Sequence, residues 1–399
     1  MTAIKRILAR FGFVYRAASG CYQALRRIAG AFFCLFPIQK NKIVFDNFCG
    51  KGYGGFPARL ADELRECGVA ADCVWLTADR DAPLPRGVRR AEYGSLRALY
   101  ETVTASVWID NVMGALNAPK RKGQLYLNTW HSGGIGLKKV EASVEEYLDP
   151  AYVRGAKKDA EKIDYMLSAS RWQDDEIRSS FWFSGKTLPV AYADVKSAGE
   201  QRRTAEEVRR FFALPQDVSL VLYAPTFRGT GATDCFRIDY PAVLAALEER
   251  FGGKWVALVR LHPNDARRQG AIGYSDDVRS ATDYPDIEDL LYAADLLITD
   301  FSSSFFEAMR YGRRSLLYAA DYEEYVRRER PLWYDIRTLP PPFAGDRASL
   351  LNAIRNFDDE AYAAKAKAFV EGVGYYSDKK DLSAVTELLR NRLGPSAGS

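Results

Sequence analysis

From position 42 onward the chain alternates short apolar runs with amphipathic stretches of helical period. Lys42-Ile-Val-Phe-Asp-Asn predicts a strand, followed by a turn carrying Gly50, Gly52, Gly54 and Gly55 and by a helix over 57–67. Strands are predicted near 72–77, 106–110, 124–129 and 164–168, with helices around 96–104, 151–163 and 171–181. A polar helix over 200–212 ends at Pro215, and the rhythm restarts with strands at 219–224, 255–261, 295–299 and 315–318. Pro340-Pro341-Pro342 predicts a loop, and helices near 348–356, 360–371 and 382–393 close the chain. This is the βαβ rhythm of parallel sheets with helical cover, and it predicts two α/β domains, 42–195 and 196–399, behind a leader at 1–41. Ligands of such sheets bind outside the carboxyl ends of the strands, so motifs at strand ends are where function is expected.

The leader has a different pattern. On a helix at about 100° per residue, Ile4, Ile7, Leu8, Phe11, Val14 and Tyr15 gather within roughly one third of the circumference, with Lys5, Arg6, Arg10 and Arg16 opposite. A second segment adds Leu25, Ile28, Phe32, Phe33, Leu35 and Phe36 beside Arg26 and Arg27. Its longest uncharged run, 28–39, is too short for a bilayer core that needs about 20 residues. The run ends without a small-residue cleavage site, which disfavours a secretory signal. Residues 1–42 hold eight basic side chains and no acid, whereas the remainder is net −4, so the overall +4 divides into a basic leader and an acidic body. Nucleic acid is therefore disfavoured as the body's partner, and an anionic membrane surface is expected at the leader, which reads as an interfacial anchor. Rival readings are a helix pair packed on the body and an Arg-rich presequence.

Composition adds bounds. With 399 residues, 47% of them hydrophobic, the chain has material for the cores of two or three domains. Its six cysteines show no C-x-x-C pair or metal spacing, which predicts reduced thiols in a cytosolic compartment and no metal site. There are only two histidines, His131 and His262, and both fall at predicted strand ends.

His131 lies in Asn128-Thr-Trp-His-Ser-Gly-Gly-Ile-Gly-Leu-Lys-Lys, where Gly133 and Gly134 permit close backbone approach and Lys138 and Lys139 add charge. His262 follows Arg260 at matching strand parity, a pair suited to an anionic group such as a phosphate. At Thr299-Asp300-Phe301-Ser302-Ser303-Ser304 a buried strand turns into a helix that carries Glu307; serine hydroxyls beside free N–H groups form a phosphate cradle. Thr226 and Arg228 end another strand at the same rim. Each residue also has a structural reading: a turn or capping histidine, an ordinary N-cap serine, a surface arginine. Together they describe a handler of diphosphates, which a generic sugar-nucleotide transferase satisfies equally well.

The ordered set TWHSGGIGLKK (129–139), YAPTFRG (223–229), LVRLHP (258–263), ITDFSSSFFEAM (298–309) and RPLWYDI (330–336) resembles the teichoic-acid-type CDP-glycerol glycerophosphotransferases, which include CDP-ribitol users and capsule-polymer relatives. The likeness covers 42–393, with two departures: Ser132 separates the Trp–His pair from the glycines, and Phe301 replaces a common tyrosine. The resemblance implies a GT-B-like pair of Rossmann-like domains across a cleft, an acceptor-binding N-terminal half and a donor-binding C-terminal half. It implies CDP-glycerol or CDP-ribitol as donor, a polyprenyl-linked or capsular glycan acceptor, and peripheral attachment at the cytoplasmic face of a bacterial plasma membrane. No tightly bound cofactor is expected, with free Mg²⁺ beside the nucleotide left open. His131 and His262 are the expected catalytic residues. Thr226, Arg228, Arg260, Asp300, Ser302, Ser303, Ser304 and Glu307 are assigned to the donor, Glu307 at the ribose; Gly133, Gly134, Lys138 and Lys139 to acceptor or phosphate; and Lys5, Arg6, Arg10, Phe11, Arg16, Arg26, Arg27, Phe32 and Phe33 to the membrane. The length is nearer to single-addition primases than to long polymerases. The competing expectations are a glycosyltransferase that leaves a nucleoside diphosphate and a membrane scaffold without catalysis.

Overall fold

The computed structural model describes residues 12–191, 196–228, 238–262, 265, 268–270, 272–329, 331–376 and 383–393, with backbone only for 12–19 and 383. Strands β1 (Gln39–Asp46), β2 (Asp72–Thr77), β3 (Arg89–Glu92), β4 (Ala105–Asp110), β5 (Leu125–Asn128), β6 (Tyr165–Ser168) and β7 (Lys186–Pro189) form one sheet in the order β3-β2-β1-β4-β5-β6-β7. Every neighbouring pair in it is parallel. Strands β8 (Val218–Ala224), β9 (Lys254–Val259), β10 (Val278–Ser280), β11 (Leu296–Thr299), β12 (Arg314–Tyr318) and β13 (Phe343–Ala344) form a second parallel sheet in the order β10-β9-β8-β11-β12-β13. In each sheet the strand order reverses once, between β1 and β4 and between β8 and β11. Loops part at such a reversal and leave a crevice at the carboxyl ends.

Unbroken apolar runs make these strands because both faces are covered by helices. Val44, Val74 and Trp108 enter one core of the first sheet, while their neighbours Ile43, Phe45, Trp75, Val107 and Ile109 enter the core on the opposite face. A buried cation in that region is neutralised locally: Lys42 Nζ lies 2.7 Å from Glu101 Oε2 and 2.8 Å from Thr104 Oγ1, joining β1 to helix Leu96–Thr104.

One boundary differs from the sequence expectation. The C-terminal helix Ser383–Leu393 does not close the second half. It buries Val385, Leu389 and Leu393 in the core beneath β1 of the first half, because that face of the sheet otherwise lacks cover there. Among the described residues, the leader forms one helix over Gly12–Phe33. Lys5, Arg6, Arg10 and Phe11 lie outside the described residues, as does the side chain of Arg16. Phe33 packs edge-on against Tyr100 at 5.4 Å, and Arg26 Nη1 donates to the Gly94 carbonyl at 2.5 Å. Both were expected at the membrane, and both are instead held on the protein because this side of the helix covers helix Leu96–Thr104. Arg27 and Phe32 remain exposed. No described helix is long and apolar enough to cross a membrane.

Candidate functional site

His131 is presented by a strained turn at the end of β5. The Asn128 side chain donates to Asp110 Oδ1 (2.7 Å) and accepts from the Trp130 N–H (2.9 Å), which holds Trp130 at φ 50°. Next to it, Phe48 and Cys49 after β1 are also left-handed, at φ 45° and 58°. Non-glycine residues in that region cost about 1–3 kcal/mol each, and such strain gathers where geometry serves chemistry. The imidazole lies between the Trp130 and Phe48 rings, with centroids 4.0 and 5.1 Å away. Its Nδ1 is 2.9 Å from the Asn111 carbonyl oxygen. A carbonyl only accepts, so Nδ1 carries the proton and the basic lone pair of neutral His131 is on Nε2.

The glycine-rich turn after His131 connects the two halves. Ser132 Oγ accepts from Gln173 Nε2 at 2.9 Å, so the residue that departs from the family pattern ties the turn to helix Arg171–Ser180. Leu137 N–H donates to Ser303 Oγ (3.2 Å), Lys139 N–H to the Pro331 carbonyl (2.9 Å), and Trp333 N–H to the Leu137 carbonyl (2.8 Å). Pro331 and Trp333 therefore pair along the turn. Gly134 has φ 91°, and a Cβ there would meet the Tyr375 ring at 2.7 Å; it is a packing position rather than the ligand contact expected of it. The Lys139 ammonium sits over the Trp333 ring at 5.2 Å, and Lys138 sits over Tyr325 at 5.7 Å.

A cleft of ≈ 530 Å³ opens between the halves. His131, Ser132, Gly133 and Lys138 line one wall, and Thr226, Arg260, His262 and the serines 302–304 line the other. Arg260 Nη1 donates to the carbonyls of Ala281 (3.2 Å) and Tyr284 (2.5 Å), which fixes the guanidinium at the rim, and burial lowers its pKa. Partial burial also lowers the pKa of His262, against the pull of Asp265; Lys138 and Lys51 depress it further. Depressed in this way the imidazole favours its neutral form, and an incoming diphosphate would draw its pKa back up. Ser302 and Ser304 share a hydrogen bond of 2.9 Å. Glu307, salt-bridged to Arg310 at 3.1 Å, is pushed up to about 7 by burial, which Arg310 only partly offsets.

Arg228 and Asp300 do not line this cleft. Arg228 is 2% exposed; it places Nε and Nη2 on Asp321 at 2.7 and 3.0 Å, Nη2 on Asp300 at 2.7 Å and Nη1 on the Thr226 carbonyl at 2.6 Å. Asp300 Oδ1 accepts from the N–H of Thr226 (2.8 Å) and of Phe301 (2.6 Å). The donor role expected of these two residues is replaced by a structural one, in which they clamp the ends of β8 and β11 beneath the site. Among the described residues, no three His, Cys, Asp or Glu side chains gather as metal ligands.

Glu176 had no sequence signal, because it is an unremarkable position on an amphipathic helix. It lines the cleft with Oε1 accepting from Trp333 Nε1 (3.3 Å) and with Oε2 buried and without a partner among the described residues. Burial pushes its pKa up to about 7. A carboxyl raised in this way stabilises the fold fully below its ordinary pKa, and that contribution is lost as pH rises through about 7. Glu176→Gln is therefore expected to shrink the fall in melting temperature between about pH 5 and pH 8, measured by calorimetry. Equal falls in both proteins would show that Glu176 is ionised throughout.

Residues 28–391 match the family described as CDP-Glycerol:Poly(glycerophosphate) glycerophosphotransferase. The chain is 26% identical over 384 residues to a teichoic acid poly(glycerol phosphate) polymerase of Bacillus spizizenii (strain ATCC 23059 / NRRL B-14472 / W23), covering 92% of this chain and 96% of that protein. It is 26% identical over 338 residues to the polymerase of the same description from Bacillus subtilis (strain 168), covering 82% of this chain but only 45% of that longer relative. The solved structure of the wall teichoic acid polymerase TagF superposes with TM-score 0.77 at 22% identity, over 97% of this chain and 98% of that one, a likeness of fold.

Proposed function

The chain belongs to the CDP-glycerol:poly(glycerophosphate) glycerophosphotransferase family, and from that premise we propose that it moves a glycerol-phosphate unit from CDP-glycerol to a hydroxyl of a teichoic-acid-type acceptor, releasing CMP. The observation that carries the reading is the His131 tautomer: its basic Nε2 belongs to a side chain that lines the cleft opposite His262 and the serine cluster. The acceptor hydroxyl gives its proton to Nε2 as its oxygen attacks the β-phosphorus; the new P–O bond forms as the bond to the bridging oxygen breaks, and CMP leaves with that oxygen. Phosphoryl transfer depends mainly on positioning and charge stabilisation, which Arg260, His262, Ser302 and Ser304 supply at the diphosphate. Glu307 is assigned to a ribose hydroxyl, and Gly133 and Lys138 to phosphate oxygens. No step runs through a metal ion; free Mg²⁺ would enter with the nucleotide.

Product analysis tests this reading. Incubation with CDP-glycerol and a lipid-linked glycerol-phosphate acceptor is expected to release CMP and extend the acceptor by a phosphodiester-linked unit. Release of CDP instead would identify a glycosyl transfer, and CDP-ribitol run in parallel separates the two alditols.

The same proposal places the enzyme at the cytoplasmic face of a bacterial plasma membrane, where a nucleotide donor and a polyprenyl-linked acceptor meet. What supports this is the outer side of helix Gly12–Phe33 and the turn after it, where Leu25, Ile28, Phe32 and Leu35 are exposed beside Arg27. Vesicles containing about 30% anionic lipid are expected to co-sediment the full chain and to release Leu25→Glu/Ile28→Glu, with ordinary melting retained. Equal sedimentation of both proteins would remove the membrane from the proposal.

A further inference from the structure

His131 and Ser132 are walls of two cavities. Besides the cleft that opens toward His262, a second cavity of ≈ 590 Å³ reaches the same imidazole from the side of the first half. Its volume is that of a small-molecule site. Helix Gly55–Glu66 supplies much of its wall, and the i, i+3 spacing of Phe56, Arg59 and Asp62 aligns these three side chains on one face. Across the gap stand Asp286 and Glu288 of the second half.

The chemistry of this wall is uneven. Among the described residues, Arg59 is the only lysine or arginine lining the cavity. Its guanidinium lies over the Phe56 ring at 5.2 Å, and no hydrogen bond or ion pair to it occurs among the described residues. The other polar lining groups include three carboxylates, Asp62, already engaged by the Tyr53 hydroxyl at 2.6 Å, Asp286 and Glu288, and the amides Asn111 and Gln173, all partners suited to hydroxyls. One cation, several hydroxyl partners and a general base at the end of the cavity match a polyol that carries a single phosphodiester.

We propose that this second cavity is the acceptor subsite, in which Arg59 binds the phosphodiester of the acceptor's terminal polyol-phosphate unit while the free hydroxyl of that unit reaches His131. The inference rests on the transfer reaction proposed above and adds where the attacking chain lies. It separates acceptor from donor by side of the imidazole; among the described residues, His131 and Glu288 are the titratable side chains that line both cavities.

The probe is a soluble synthetic tri(glycerol phosphate), titrated into the full protein by calorimetry without donor. Wild type is expected to bind it, Arg59→Ala to bind at least about tenfold more weakly, and Arg59→Lys to fall between them, as for loss of a charge-assisted hydrogen bond. Because no hydrogen bond or ion pair holds Arg59 among the described residues, melting temperatures should agree among the three proteins. In turnover, Arg59→Ala should raise KM for the acceptor and leave KM for CDP-glycerol within about twofold of wild type. Equal binding by wild type and Arg59→Ala, no binding by either, or a rise in donor KM alone would overturn the assignment. Binding that depends on Arg59, together with no CMP release by wild type, would overturn the transfer reaction and leave the polyol-phosphate site standing.

Discussion

His131→Ala is expected to lower kcat by about 10²–10⁴-fold while CDP-glycerol still binds within a few-fold of wild type, because removing a general base takes away proton transfer and not donor contacts. A milder variant isolates the chemistry. His131→Asn can still donate to the Asn111 carbonyl, as Nδ1 does at 2.9 Å, and so preserves the turn while offering no basic nitrogen. Both variants should lose the acid limb of the kcat profile, since the limb reports protonation of Nε2 in the bound complex. Single-turnover CMP release and donor calorimetry provide the two readouts. Near-wild-type turnover by His131→Asn would remove His131 from the reaction, whereas loss of donor binding would make it a donor ligand.

The largest effect on stability is expected from Arg228→Ala. The guanidinium serves Asp300, Asp321 and the Thr226 carbonyl together and lies over the rings of Phe301 and Tyr325 at 5.1 and 4.8 Å. Its removal leaves the Asp300 carboxylate, 1% exposed, without its cation, an uncompensated buried charge that typically costs about 3–5 kcal/mol. Arg228→Lys should recover little, since a point charge cannot serve three acceptors in one plane. Denaturant unfolding of the two variants is the measurement. A protein with unchanged stability and a raised KM for CDP-glycerol would restore the donor role and contradict the clamp.

These two residues mark how far the sequence reads. The α/β class and both sheets follow from runs such as 43–45 and 296–298, where two-sided burial leaves an unmistakable apolar pattern. Edge strands β3 (Arg-Arg-Ala-Glu) and β7, which ends in Pro189, carry no such pattern, because an edge is kept polar or proline-terminated. His131 and His262 were legible, since both end predicted strands and the structure brings both to one cleft. Arg228 was visible as a strand-end arginine, but its partner Asp321 is 93 residues away and no local spacing announces it. Arg59, Glu176 and Asn111 escaped for the same reason. Each takes its meaning from a neighbour across the fold: the His131 cavity for Arg59, the Trp333 indole for Glu176, the His131 ring for Asn111. The glycine-rich turn at 50–55 was read as a turn only, although its helix presents the face that holds Arg59.

The return of helix Ser383–Leu393 to the first half sets the order of events during synthesis. Val385 and Leu389 are fully buried in that half's core, so the sheet built from residues 39–189 lacks part of its cover until residues 383–393 are translated. Domains ordinarily fold N-terminal first as the chain emerges at about 5–20 residues per second, and at that pace the uncovered apolar face persists for roughly 10–40 seconds. Nascent chains are therefore expected to keep this apolar face uncovered throughout the translation of the second half, and a ribosome stalled before Ser383 holds a first half without this part of its cover.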